Sequence, residues 1–186
     1  MVNFYLALLL AIGAERIAEL ALSRRNAARA FARGGIEVGQ GHFRVMAALH
    51  TLFLVSCAGE VLLFASPFPG VAGWLALGGA ILAQLLRYWA VFTLGPRWNV
   101  RVIVVPGDAP VTSGPYRFVR HPNYVAVVLE LLCVPLIHGA WITAAVFGAA
   151  NAALLAVRIR AEEAALGARY AAAFADRPRF VPGGRR

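Results

Sequence analysis

Five apolar stretches, separated by connectors that alternate between arginine-rich and arginine-free, constrain this chain more than any other feature. They cover residues 2–22, 43–65, 71–94, 122–138 and 140–157. Each is near the roughly 20 residues that a helix needs to cross a hydrocarbon core, the fourth being the shortest. Connector 23–42 carries Arg24, Arg25, Arg29 and Arg33, and connector 95–121 carries Arg97, Arg101, Arg117 and Arg120. Connector 66–70 and the turn at 138–139 carry no arginine. The tail carries Arg158, Arg160, Arg169, Arg177, Arg179, Arg185 and Arg186. Inner loops of membrane proteins are enriched in basic residues. The pattern predicts an all-α polytopic membrane protein of about five spans, with its N-terminus outside and its C-terminus cytoplasmic. The very short fourth connector makes the last two helices a tight hairpin.

Composition removes the main competitors. The chain of 186 residues is 60% apolar and 15% charged, against about 25% charged for an ordinary soluble domain. Its formal charge of +9 comes from 18 basic residues, all arginine. A nucleic-acid-binding stripe would not alternate in step with apolar spans, so nucleic acid is not an expected partner and membrane lipid is. The first stretch lacks a basic n-region and carries Glu15, Arg16 and Glu19, so it reads as a retained helix and not as a signal peptide. Cys57 and Cys133 lie inside spans and form no disulfide framework. Histidine and cysteine spacings of the metal-binding kind are absent from the sequence, so no metal is expected. Without a G-x-G-x-x-G segment or room for a doubly wound sheet, a soluble-type nucleotide-binding domain is excluded as well.

Ionisable residues at membrane depth are costly and mark function by default. Glu15 and Glu19 share one face of the first span, His50 and Glu60 lie in the second, Arg87 in the third and Glu130 in the fourth. Two accounts stay open for them: ion pairs that fix helix register, or a polar cavity that takes a ligand head group while its tail lies among the helices.

Residues 111–124, VTSGPYRFVRHPNY, hold the densest chemistry. Gly114 and Pro115 form a turn, and Pro122 suits the first turn of the fourth helix. Arg120, His121 and Asn123 therefore sit at a helix N-terminus, which favours an anionic group. On the fifth helix Asn151, Arg158 and Glu162 share a face, with Glu163 adjacent. A tight hairpin brings His121, Tyr124, Arg158 and Glu162 together by connectivity alone.

Residues 111–124 together with Arg158-x₃-Glu162-Glu163 resemble the isoprenylcysteine carboxyl methyltransferases and their small bacterial relatives. The likeness runs over about 98–182 and includes Leu166, Tyr170, Phe174 and the closing Arg179-Phe180-Val181-Pro182. It implies an S-adenosylmethionine-dependent enzyme in one domain, 1–186, with 1–94 on the lipid-substrate side and 95–186 on the cofactor side. It also implies a cofactor site at Arg101, Val111, Tyr116, Arg120, His121, Pro122, Asn123, Tyr124, Glu162 and Glu163. Arg101 stands where the family often carries glutamine. Arg158 and Glu162 would be catalytic, and Arg158, Asn151, Glu60 and His50 would face the substrate. The N-terminal half, with Glu15, Arg24, Glu37, His50 and Glu60, is similar to a bacterial subgroup linked to methylation of alkylpyrones or alkylresorcinols. The expected acceptor is a lipophilic small molecule or prenylated substrate, methylated in a bacterial inner membrane at a site facing the cytoplasm. The Arg-His-Pro-x-Tyr segment also occurs in NADPH-dependent membrane sterol reductases, which form the alternative reading. Oligomeric state is left open.

The chemistry suits helix ends. Methyl transfer from a sulfonium needs orientation and exclusion of water above all. A carboxylate or enolate acceptor needs a counter-charge, which an arginine fork such as Arg158 supplies. A phenol would also need a base, for which Glu15, Glu60 and Glu130 are candidates.

Overall fold

The apolar stretches fold as helices, and two of those helices run far beyond the stretches themselves. In the computed structural model, which describes residues 1–181, the helices are α1 (Val2–Ala32), α2 (Gln40–Leu63), α3 (Val71–Leu94), α4 (Pro122–Leu136) and α5 (Trp141–Ala173). Pro182, Arg185 and Arg186 lie outside the described residues. The first apolar stretch ends at residue 22, which makes 23–42 a connector by sequence. The structure corrects this. Helix α1 continues for ten residues past 22 because its polar face has partners there. Ser23 Oγ donates to Asn99 Oδ1 at 2.7 Å, and Asn26 Nδ2 donates to the Trp98 carbonyl at 2.8 Å. Only then does the chain turn into β1 (Ile36–Val38).

A short sheet adds to the all-α expectation. β1 pairs antiparallel with β2 (Val102–Val104), Ile36 facing Val104 and Val38 facing Val102. Three residues per strand lie below the length at which alternation can be read. The pair joins the loop after α1 to the loop after α3, and so closes one end of the bundle.

Three helices are long and apolar enough to cross a membrane: α2, α3 with its following turn, and α5. Helix α4 is apolar but has only 15 residues. Bulky side chains such as Leu10, Leu63, Val71 and Phe92 are largely exposed on the outer faces. A water-soluble monomer rarely carries so continuous an apolar surface, and lipid covers it without cost. The interior is packed by Tyr5 and Leu9 of α1, Phe53, Cys57 and Val61 of α2, and Val127, Leu131 and Val134 of α4.

The helices share one aligned end, opposite the sheet. There Glu60, near the end of α2, caps the first turn of α5. Its carboxylate accepts from the Ile142 amide at 3.0 Å, the Thr143 amide at 2.6 Å and the Thr143 hydroxyl at 2.7 Å. These amides have no intrahelical acceptor, and the positive end of the helix dipole favours the carboxylate. Glu60→Ala is expected to lower unfolding stability by about 1–2 kcal/mol, the usual worth of a lost cap, in thermal melts of the detergent-solubilised protein. Because that end is aligned, the extra length of α1 and α5 projects at the sheet end. From Trp141 to Leu166, before its break at Gly167, α5 runs about 39 Å, beyond a hydrocarbon core of about 30 Å.

Candidate functional site

The site is built where the start of α4 meets the second half of α5. Residues 113–121 reach it through a tight turn. Gly114 has φ +55°, and a Cβ there would come within 2.3 Å of the Thr93 hydroxyl, so only glycine fits. A single 3-10 turn, Gly114–Arg117, follows, and Pro122 opens α4. Burial pushes the Tyr116 phenol well above its ordinary pKa, and the nearby charge of Glu162 adds to this, so it stays a hydroxyl.

Three side chains form a continuous chain of hydrogen bonds across the two helices, and a separate pair lies beside them. Arg158, 5% exposed, donates from Nε to Tyr124 Oη at 2.9 Å and from Nη2 to the Val100 carbonyl at 2.5 Å. Tyr124 in turn donates to Glu162. One turn of α4 earlier, His121 Nε2 donates to Glu163 Oε1 at 3.0 Å. The arginine fork thus spans α4, α5 and the loop before β2, and points its charge at one spot.

The end of the chain straps this arrangement down. Arg179 grips Glu163 in a fork, at 3.0 Å from Nε and 2.6 Å from Nη2. Backbone amides of Arg120 and His121 donate to the carbonyls of Pro178 and Arg179. Arg120 Nε donates to the Arg177 carbonyl at 2.7 Å. Helix α5 is broken at Gly167 (φ +71°), which lets Tyr170 and Phe174 turn back onto Tyr116 and Ala90. Glu163→Ala removes the anchor of Arg179 and one partner of His121. Charged hydrogen bonds are each worth about 1.5–3 kcal/mol, so tryptic cleavage at the Arg179–Phe180 bond is expected to quicken about tenfold.

A cavity of about 1870 Å³ opens beside these groups and continues between α1 and α2. Of the residues singled out from sequence, Arg101, Val111, Tyr116, Arg120, His121 and Asn123 line it. So do Tyr124, Arg158, Glu162 and His50. Four lie elsewhere. Pro122 is buried in the first turn of α4, and Glu163 sits behind His121. Asn151 is buried about two turns of α5 before Arg158. Glu60 is spent on the cap of α5 at the opposite end of the fold. Arg101 is held by Glu37 of β1 at 2.9 Å, which ties the sheet to the cavity wall.

Two further features form the wall: one has no signal in the sequence, and the other pairs Glu15, Glu19 and Glu130 with Arg16 and Arg87, as the ion-pair account of these residues has it, while Glu60 stays apart. Trp98 is 2% exposed and borders the cavity, and its Nε1 has no hydrogen-bond partner among the described residues. A buried cluster of charges forms the other. Arg87 of α3 lies 2.8 Å from Glu130 of α4 and 3.4 Å from Glu19 of α1. Arg16 lies 2.9 Å from Glu19 and 3.0 Å from Glu15, whose other oxygen accepts from Gln84. The sequence supplied each of these residues, but no spacing on one helix could pair α1 with α3 and α4.

The family model for isoprenylcysteine carboxyl methyltransferases matches residues 74–168, which run from α3 through both halves of the site. The chain belongs to the isoprenylcysteine carboxyl methyltransferase family. An uncharacterized protein of Bacillus subtilis, YpbQ, is 43% identical over 153 residues, covering 82% of this chain and 90% of the relative. An uncharacterized protein of Haemophilus influenzae is 28% identical over 166 residues, covering 89% and 94%. This isoprenylcysteine carboxyl methyltransferase-family chain is therefore an integral membrane protein of a methyltransferase family, and the matched region contains Arg158, Glu162, Glu163 and the 111–124 segment.

Proposed function

We propose that this protein is an S-adenosylmethionine-dependent O-methyltransferase that methylates a carboxylate or acidic hydroxyl of a lipophilic, isoprenoid or polyketide-type acceptor. The observation that carries this reading is the Arg158–Tyr124–Glu162 chain on the wall of a cavity that runs from a polar mouth into apolar helices. The donor set fits the cofactor. Glu162 accepts from Tyr124 with one carboxylate oxygen, and its other oxygen has no hydrogen-bond partner among the described residues, as ribose hydroxyls or an ammonium group require. Asn123 Oδ1 and Trp98 Nε1, both without partners among the described residues, offer an acceptor and a donor beside it. The rings of Tyr124 and Tyr170 lie 5.3 and 6.4 Å from that of His121 and give an aromatic wall.

When bound, S-adenosylmethionine supplies an activated methyl group on a sulfonium. The chain's own residues orient and shield. Arg158 holds the anionic oxygen of the acceptor by a charged fork whose position is fixed by Tyr124 and Val100. Glu162 holds the polar part of the cofactor. The strap of 177–179 and the β1–β2 pair keep water from the reacting atoms. An ionised carboxylate or enolate needs no base, so no proton has to move.

The topology we propose has five spans. Helix α1 counts among them because Arg16, Glu15 and Glu19 face protein partners, while Leu10 and Ile17 face outward. The arginines of the described residues, Arg16 and Arg87 apart, lie toward the sheet end. Under the positive-inside rule this end is cytoplasmic, the N-terminus is outside, and the membrane is the bacterial inner membrane. The decisive experiment incubates the purified protein with bacterial lipid extract and methyl-labelled S-adenosylmethionine. Label should appear in one lipid class, with mass spectrometry showing a gain of one methyl group. No transfer, together with no cofactor binding, would sink the proposal.

A further inference from the structure

The cavity has two polar tiers, and the second one is not used by the chemistry above. The first is Tyr124, Arg158 and Glu162. The second comprises Arg16, Glu19, His50 and Arg87, all of which line the same cavity. Their separation follows from the helices. Glu130, the partner of Arg87, lies six residues beyond Tyr124 on α4, about 9 Å along its axis. Glu19 lies four residues before Ser23 on α1, about 6 Å. Ser23 is level with the first tier, since its hydroxyl accepts from the amide of Val100, whose carbonyl accepts from Arg158.

The second tier has unmet hydrogen-bonding capacity of both kinds. Arg87 is 4% exposed, and its Nε donates to nothing among the described residues; the same is true of Arg16 Nε. The cluster sets three carboxylates, Glu15, Glu19 and Glu130, against two guanidinium groups, Arg16 and Arg87, so one carboxylate has no cation of its own. His50 Nδ1 meets the Met46 carbonyl at 2.9 Å. A carbonyl only accepts, so that nitrogen carries the hydrogen and Nε2 is left as an acceptor. Free donors on arginine beside free acceptors on histidine and carboxylate match one small neutral group best. A hydroxyl donates one hydrogen bond and accepts two. A second anion would meet Glu19, and an alkyl chain would leave the donors unpaired.

Resting on the methyltransferase reading, we propose that Arg16, Glu19, His50 and Arg87 form a hydroxyl-recognition subsite, so that the acceptor is a hydroxylated acidic lipid. With one hydrogen bond of about 2.8 Å at each end, the separation of about 9 Å along α4 leaves about 3.4 Å between the two oxygens. This is the reach of a two- to four-atom spacer. The acidic oxygen sits at Arg158, the hydroxyl at the second tier, and the chain runs on between α1 and α2 past Leu6, Leu10 and Leu54.

Two probes that differ by one hydroxyl test this: hexadecanoic acid and 3-hydroxyhexadecanoic acid. Their affinities are measured by displacement of a fluorescent fatty acid from the purified full chain in nanodiscs. The hydroxy acid is expected to bind at least tenfold tighter. In Glu19→Gln the ratio should fall below twofold, and His50→Leu should lower it in the same direction, which keeps the test alive if the first variant does not fold. A role confined to helix packing would weaken both probes together and leave the ratio at its wild-type value. Equal binding of the two probes by wild type, or an unchanged ratio in both variants, overturns the subsite. Methyl transfer is read separately with labelled S-adenosylmethionine. A selective ratio without transfer to either acid leaves the subsite standing and counts against the methyltransferase reading for this class.

Discussion

Replacing Arg158 by alanine is expected to lower kcat/KM for methyl transfer about a hundredfold or more, while cofactor affinity stays within about threefold. Among the described residues Arg158 is the cation that bridges α5, α4 and the loop before β2, through Tyr124 Oη and the Val100 carbonyl. Truncating one member of a buried, hydrogen-bonded charge arrangement commonly costs 2–5 kcal/mol, and about 1.4 kcal/mol is a factor of ten in rate. Cofactor affinity should survive because Tyr124 still donates to Glu162 without the arginine. Arg158→Lys should recover less than tenfold of the loss, since an ammonium is a point charge without the planar fork that engages Tyr124 and Val100 at once. Initial rates with labelled cofactor and titration of the cofactor alone separate the two quantities. Activity of Arg158→Ala within fivefold of wild type would remove this residue from the site.

Why Arg158 was legible, and its neighbours less so, is a matter of which contacts are local. Arg158 and Glu162 stand at i and i+4 on one helix, and the short turn at Gly139 brings the start of α4 beside the middle of α5. Connectivity therefore dictates that Tyr124 meets Arg158. The apolar stretches were equally readable, since a lipid-facing helix shows its length directly in composition. Three things were not. Helix α1 runs on to Ala32 because Ser23 and Asn26 find Asn99 and Trp98, partners more than seventy positions away. The β1–β2 pair is too short to show a period. Glu60 looks, in sequence, like any other carboxylate at membrane depth, and only the packing of α2 on α5 turns it into a helix cap. Its separation from the cavity follows from that task.

Arg87 carries the largest expected effect on stability. It is buried in α3 between Glu130 of α4 and Glu19 of α1, and it ties together three helices that share no turn. Arg87→Met keeps the bulk of the side chain and removes the charge, leaving Glu130 with Arg16, at 3.8 Å, as its nearest cation among the described residues. Breaking a buried pair by removing one partner costs about 3–5 kcal/mol, because the remaining charge has lost its water without compensation. A domain of this size should then melt roughly 6–20 °C lower. The double variant Arg87→Met/Glu130→Leu distinguishes the cause. If the penalty is the stranded charge, the double variant should recover at least half of the loss, because a buried ion pair and a well-packed apolar pair are often close in stability. Full recovery is not expected, since Glu19 then keeps only Arg16, at 2.9 Å. Were the loss due to packing alone, removing Glu130 as well would deepen it. Thermal unfolding of the four proteins in one detergent, taken as a double-mutant cycle, gives the coupling between the two residues directly.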